Sequence, residues 1–150
     1  MIFMTRASLV GVLMVLYLAR SIRGQTYRNM SSVAGMYSVS YVTVPNDTVA
    51  KKIARGLVEN KLAACVNIIP QLISVYEWEE KIQEEPELLL MIKTRTETVD
   101  ALTKYVKENH PYTVCEVISQ PIQNGNIDYL NWIGKIVSPL NSKDQDTTNN

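Results

Sequence analysis

His110-Pro111-Tyr112-Thr113-Val114-Cys115-Glu116 is the stretch in which the second half of the fold is decided. Pro111 cannot continue the helical pattern that precedes it, and an apolar run from Val114 to Ile122 predicts a strand. The stretch also holds the only histidine of the chain and one of its two cysteines. It is therefore the first place to look for chemistry, although a histidine at a helix end also serves simply to cap the last carbonyl groups.

The residues before this junction predict a helix, a buried strand and a charged turn. Apolar residues from Val99 to Val106 recur at helical spacing after cap residues at Thr94 to Glu97. The run Leu88 to Ile92 is the most apolar of the chain and predicts a central strand covered on both faces. Glu79 to Glu87 is interpreted as the solvated tip of a hairpin, because it lacks the alternating Asp, Asn and Gly of a calcium loop.

Four further segments precede that turn. Tyr37 to Val44 alternates in the manner of a strand, and Asp47 or Thr48 to Asn60 carries one continuous apolar stripe of a helix. Leu62 to Ile69 and Ile73 to Trp78 both have strand character, and the proline between them predicts a bend or an edge position. After the junction stretch, Tyr129 to Val137 predicts a short terminal helix.

The resulting order is βαββαβ followed by a helix. It predicts an α+β fold, a ferredoxin-like sandwich with a long bent hairpin and a C-terminal helix. Helices on one side of an antiparallel sheet leave its other face uncovered, so we expect the protein to oligomerise. Cys65 and Cys115 should lie on strands at opposite edges of the sheet, too far apart to form a disulfide.

The first residues differ from the rest. An uncharged, mostly apolar run from Ala7 to Ala19 lies between Arg6 and Arg20, with the length of a signal-peptide core rather than of a membrane span. A signal peptide, an uncleaved anchor and a non-functional extension all fit this pattern. The secretory route would make Asn29 and Asn46 glycosylation acceptors. A start at Met36 would instead give a cytoplasmic protein, which agrees better with two unpaired cysteines.

We therefore predict four regions. They are a signal peptide or apolar extension (1–24), a linker (25–36), a folded domain (37–138) and a disordered polar tail (139–150). Basic and acidic residues balance at 15 each, so nucleic acid is not expected as a partner.

The sequence resembles the divalent-cation tolerance protein family CutA over about Ser38 to Val137. The similarity is carried by the long segment Ala50 to Pro70 and by shorter motifs with matching spacing. These motifs are Ser74-x-Tyr76-x-Trp78, Ile92-Lys93-Thr94, His110-Pro111-Tyr112-x-Val114-x-Glu116, Pro121-Ile122 and Tyr129-Leu130-x-Trp132.

The resemblance implies a homotrimer of ferredoxin-like subunits without an established enzymatic reaction. It implies binding of copper or another divalent cation, with His110 and Glu116 as the metal residues and Cys115 as a possible helper. Strand alternation would send Cys115 and Glu116 to opposite faces, so both would not easily join one ion. For animal members the resemblance implies a role in anchoring or processing acetylcholinesterase, and hence enzyme binding by a secretory protein.

The sequence departs from the family pattern around that site, where Thr113 and Cys115 replace the usual glutamate and the usual proline or alanine, and also in the hairpin turn. No cysteine occurs at Val42 to Val44, where bacterial members carry a metal-binding thiolate, and His110 follows Asn109 instead of a second histidine. Loss of a thiolate and an imidazole should weaken copper binding. Glu80 replaces the glycine of the hairpin turn, which costs about 1–2 kcal/mol if that position needs a positive φ.

Two alternative functions remain open, and an enzyme is not expected. A trimeric scaffold would use the acidic hairpin and the C-terminal helix, with Tyr76, Trp78 and Trp132 as anchors unless these pack in the core or the trimer. The second alternative is a small-molecule sensor, similar in architecture to the PII signalling proteins. No glycine-rich phosphate loop is present in the sequence, however. A single histidine without a partner at catalytic spacing provides little acid–base machinery.

Overall fold

The computed structural model describes residues 33–139. The apolar segment 1–24, most of the linker, the Asn29 acceptor and the tail from residue 140 lie outside the described residues. The described elements follow the predicted order. They are β1 (Tyr37–Val44), α1 (Asp47–Glu59), β2 (Cys65–Trp78), β3 (Lys81–Arg95), a 3-10 turn (Thr96–Thr98), α2 (Val99–Asn109), β4 (Ile118–Pro121) and α3 (Ile127–Ile136).

The four strands form one antiparallel sheet in the order β2-β3-β1-β4. This order confirms the predicted α+β ferredoxin-like sandwich. It also leaves β2 and β4 at opposite edges, and both Cys65 and Cys115 are free thiols. The central strand β3 pairs with β1 from Tyr37↔Arg95 to Val44↔Leu88.

Helices α1 and α2 cover one face of the sheet. Alternate residues of β1, from Ser38 to Val44, are buried beneath them because successive side chains of a strand point to opposite faces. The Asn46 side chain caps α1 by accepting a 3.0 Å hydrogen bond from the Val49 amide. The core on this face is built from buried aliphatic residues of β1, β3, α1 and α2, namely Val42, Val44, Ile53, Leu57, Leu90, Ile92, Leu102 and Val106.

The opposite face of the sheet is only partly covered. Helix α3 packs there against Tyr37 through Leu130 and Ile133, and Val137 at the end of the helix joins the same cluster. The rest of this face, including Val39 and Tyr41, is half-exposed in the subunit, as the prediction of an uncovered face requires. In residues 33–139, no helix combines the length and apolar character needed to cross a membrane.

The hairpin between β2 and β3 is longer than the sequence indicated. The predicted tip from Glu79 to Glu87 is wrong: only Glu79 and Glu80 form the turn, and β3 begins at Lys81. Pairing continues from Trp78↔Lys81 back to Leu72↔Glu87. The acidic residues belong to a strand because cross-strand hydrogen bonds hold it in register, which charge composition alone does not reveal.

The bend predicted at Pro70 is confirmed. The register of β2 on β3 shifts between Ile69 and Leu72, where Gln71 adopts a φ of 66°. An extra residue in one strand of an antiparallel pair bends that strand and increases its twist. The missing amide hydrogen of Pro70 is tolerated because β2 is an edge strand.

The last strand is shorter than the predicted range of Val114 to Ile122. Strand β4 includes only Ile118–Pro121, which pair with Ser38 to Tyr41. The residues before it form a loop because the β1 pairing ends at Ile118. Cys115 and Glu116 therefore lie in this loop and not in a strand, although Cys115 still packs against the core while Glu116 is exposed.

Replacing Glu80 with glycine should stabilise the hairpin. Glu79 and Glu80 have φ values of 50° and 61°, so the turn requires the left-handed conformation that side chains with a Cβ disfavour. We expect Glu80→Gly to raise the free energy of unfolding by about 1 kcal/mol in chemical denaturation. Glu84→Gly, in the regular part of β3, should lower it by roughly 0.5–1 kcal/mol. Equal effects of the two substitutions would contradict the assigned turn strain.

Candidate functional site

A cleft opens on the partly covered face of the sheet, beside the end of β1. It has a volume of about 930 Å³. The arms of the hairpin form one wall, and the loop that follows α2 forms the other. Its lining combines aromatic rings with carboxylates, and among the described lining residues there is no lysine, arginine or histidine. The residues that matter most are Ser74, Tyr76, Trp78, Glu85, Glu87, Tyr112 and Glu116.

Glu87 is the most enclosed ionisable group of the cleft, with only 5% of its surface exposed. The Ser74 hydroxyl donates a 2.6 Å hydrogen bond to Glu87 Oε2. Glu87 Oε1 is buried and has no hydrogen-bond partner among the described residues. An unsatisfied buried acceptor is destabilising, the more so when it is charged. The carboxylate is therefore half-satisfied within one subunit.

Two tyrosines surround the second carboxylate of the cleft. The Tyr76 hydroxyl donates a 3.0 Å hydrogen bond to Glu85 Oε2, and this bond raises the pKa of Tyr76 above its ordinary value. Burial, together with the negative charges of Glu87 and Glu85, raises the pKa of Tyr112. Both phenols thus stay protonated at neutral pH and remain hydrogen-bond donors beside the carboxylates of the cleft.

His110 is buried, and both of its ring nitrogens are hydrogen-bonded. The backbone amide of Tyr112 donates a 3.1 Å hydrogen bond to Nδ1, so the ring proton resides on Nε2, which donates to the Thr43 carbonyl at 2.9 Å. The ring does not cap the carbonyls of α2; it fastens the loop to the end of β1. Its edge also meets the Tyr112 ring, with centroids 5.0 Å apart. His110 therefore positions Tyr112 at the cleft.

The predicted metal residues are not brought together as a ligand set. Glu116 lines the cleft, whereas His110 is not among the lining residues, and Cys115 faces the core. Across residues 33–139, no three His, Cys, Asp or Glu side chains lie close enough to share an ion. Copper prefers imidazole and thiolate ligands. The described residues of one subunit therefore do not fit a copper site.

Sequence reasoning missed Glu87, because it was grouped with a solvated turn. A signal existed in the alternation of the chain. Glu85 and Glu87 are spaced by two from Leu89 and Met91, so a strand extended backwards through Pro86 would have placed them on one face. The same alternation puts Ser74, Tyr76 and Trp78 on one side of β2, and all three line the cleft.

Residues 38–135, which include every side chain of the cleft, match the family described as CutA1 divalent ion tolerance protein. The chain belongs to the CutA1 family. A CutA homologue from Xenopus laevis is 63% identical over 116 residues, which is 77% of this chain and 77% of the frog protein. Human CutA is 51% identical over 72% of this chain, but the match spans only 60% of the human protein.

A solved CutA1 structure supports the same fold. The divalent cation tolerance protein from Thermus thermophilus is 47% identical, with a TM-score of 0.67 over 69% of this chain and 100% of that chain. The CutA1 relatives are named for divalent cation tolerance and not for an enzymatic reaction. Because the mammalian relatives are longer than the matched region, the activity of the whole protein is a matter for proposal.

Proposed function

We propose that this protein is a non-catalytic homotrimer that contributes to tolerance of divalent cations such as copper, and that its own metal site is weak. Membership of the CutA1 family supports the role in tolerance. The observation that carries the weak site is the state of His110, whose two ring nitrogens are both hydrogen-bonded inside the subunit. A metal ion at this imidazole would first have to displace one of those bonds.

The assembly is supported by the apolar surface of the subunit. Large side chains on both arms of the hairpin and beside β4 face solvent, which a stable monomer rarely permits over a contiguous area. The edge strands β2 and β4 also present backbone groups that a neighbouring chain is able to pair. The most exposed large hydrophobic residues are Ile73, Val75, Ile82, Val114 and Ile118.

The residues of β1 at the position of the bacterial thiolate also support a weak site. At that place Val42 is fully buried in the core between the sheet and the helices, and Thr43 uses its carbonyl to accept from His110. Valine offers no ligand atom. Of the two predicted metal residues, only Glu116 remains exposed, and a single carboxylate holds copper weakly.

Calorimetric titration of the full chain with copper tests this proposal. We expect weak binding, in which the heat saturates only when copper far exceeds the protein concentration. His110→Ala and Glu116→Gln should each change this little, while sedimentation confirms that the trimer is intact. Tight stoichiometric binding that vanishes in His110→Ala would contradict the weak site. No binding at all by an intact trimer would move the function towards a scaffold.

A scaffold for another protein is the second candidate, favoured by exposed aromatic residues. Trp78, at the end of the hairpin, is 50% exposed, and Tyr76 and Trp132 are also exposed in the subunit. Aromatic side chains are common anchors of protein interfaces. The partner suggested by the animal members is acetylcholinesterase or another secretory protein. This role requires the N-terminal segment to act as a signal, whereas translation from Met36 would keep the protein in the cytoplasm.

The remaining alternative, a sensor that binds nucleotides, has less support. Three glutamates line the cleft, and the lining described above contains no basic side chain. Phosphate groups need Arg, Lys or backbone amides around them. A cleft of this charge disfavours a nucleotide and favours a cation.

A further inference from the structure

The cleft contains a buried acceptor for which the described chain supplies no donor. Glu87 lines the cleft, its Oε2 is taken by Ser74, and its Oε1 has no partner. Buried polar atoms in folded proteins are nearly always paired, so an exception calls for a physical explanation. The missing donor is an ordered water, a bound molecule or a group of another chain.

The charge of the cleft decides what kind of donor fits. Glu85, Glu87 and Glu116 line it without a compensating cation in the described lining. An anion would be repelled by these carboxylates, and a neutral donor would leave their charge unbalanced. A positively charged donor satisfies Oε1 and the charge together.

The remaining contacts favour an organic cation over a metal ion. Among the described residues, no three His, Cys, Asp or Glu side chains lie close enough to share a metal ion, and Glu87 Oε2 and Glu85 Oε2 already accept hydrogen bonds from Ser74 and Tyr76. The cleft also has aromatic walls from Tyr76, Trp78 and Tyr112. Metal ions gain nothing from such walls, whereas an ammonium group is attracted to the faces of aromatic rings and its carbon chain packs against them.

We propose that this cleft binds the protonated amine of a small organic molecule, with Glu87 as its carboxylate anchor and the aromatic rings as its walls. Glu87 Oε1 is closed to solvent in the unliganded subunit, so the Glu87 side chain turns towards the ligand to accept from its ammonium group. Trp78 covers the carbon portion of the ligand. The phenols of Tyr76 and Tyr112 stay protonated, and Tyr76 holds Glu85 in place by donating to its Oε2. This activity goes beyond metal tolerance, because its ligand is an organic cation and its anchor is not one of the metal residues.

A matched pair of probes tests the proposal. Phenethylammonium and phenethyl alcohol share a ring and a two-carbon chain, and only the first carries the charge. In calorimetric titrations of the full chain we expect saturable binding of phenethylammonium and binding of the alcohol weaker by at least about tenfold. Equal binding of the two probes, or no saturable binding of the ammonium, would overturn the proposal.

Matched variants assign the anchor. Glu87→Gln should weaken the binding of phenethylammonium by at least about tenfold. Glu84→Gln, on the opposite face of the same strand, should leave the affinity for phenethylammonium unchanged. If Glu87→Gln fails to fold, Trp78→Leu provides a second test, because this side chain is exposed. We expect it to weaken the binding of phenethylammonium severalfold. Unchanged affinity in both cleft variants would contradict the site.

A cationic side chain of a second copy is the competing source of the donor. In that case phenethylammonium does not bind the assembled protein, and Glu87→Gln shifts subunit assembly to higher protein concentration in sedimentation; this result overturns the small-molecule proposal. The copper titration is a separate measurement, since it uses copper as the probe and His110→Ala and Glu116→Gln as its variants, and not Glu87→Gln. Failure of one proposal is therefore distinguishable from failure of the other.

Discussion

Gly56→Ala should destabilise the protein, although alanine is the better helix former. A Cβ built on Gly56 would lie 1.7 Å from the Tyr105 hydroxyl and 2.7 Å from Cζ of the same ring. The substitution gains about 1 kcal/mol in helix propensity, but the ring must leave its place between α1 and α2. Overpacking of this kind costs about 1–3 kcal/mol even when the neighbours adjust. We expect a net loss of up to about 2 kcal/mol in chemical denaturation.

A double-mutant cycle distinguishes this clash from a backbone effect. In a Tyr105→Ala background the obstacle is absent, so Gly56→Ala should become neutral or stabilising. Gly125→Ala is the control, since its nearest neighbour is Leu130 Cδ1 at an ordinary 3.5 Å. If Gly56→Ala proves equally destabilising with and without the tyrosine ring, close packing of the helices is not the reason for glycine at this position.

The helices of this chain were predictable because their signals are local. The apolar stripe and the Asn46 cap place α1 within a residue of its observed ends, and Pro111 fixes the end of α2. From the sequence, Gly56 in α1 was recognisable only as a residue that lowers helix propensity. Its reason lies in Tyr105, which is distant in sequence and is brought near by the packing of α2 on α1.

The site was less predictable because it depends on pairing partners. Lys81 to Glu87 lacks the composition of a buried strand, and it becomes one arm of the hairpin through its register with β2. That register buries Glu87 beside Ser74. His110 was singled out as a metal residue, whereas the contacts that the structure shows for it are with the Thr43 carbonyl and the Tyr112 amide. Backbone groups of this kind leave no signature in a single sequence.

Arg95→Lys should loosen the C-terminal helix while the rest of the sheet stays intact. The Arg95 guanidinium donates from Nε to the Val137 carbonyl at 2.5 Å and from Nη2 to the Gly134 carbonyl at 2.7 Å. It also lies over the Tyr37 ring, 5.8 Å from the centroid. A lysine keeps the charge but lacks the planar fork that reaches both carbonyls. Because hydrogen bonds to charged groups contribute about 1.5–3 kcal/mol each, we expect a loss of about 2 kcal/mol.

Amide hydrogen exchange locates that loss. Protection should fall in α3, whereas α1 and α2 keep theirs, because the guanidinium binds the last carbonyls of α3 and holds them against the sheet. Arg55→Lys, on the exposed side of α1, is the matched control and should change stability by no more than about 0.5 kcal/mol. Unchanged protection of α3 in Arg95→Lys would mean that the apolar contacts of Leu130, Ile133 and Val137 hold the helix without the arginine.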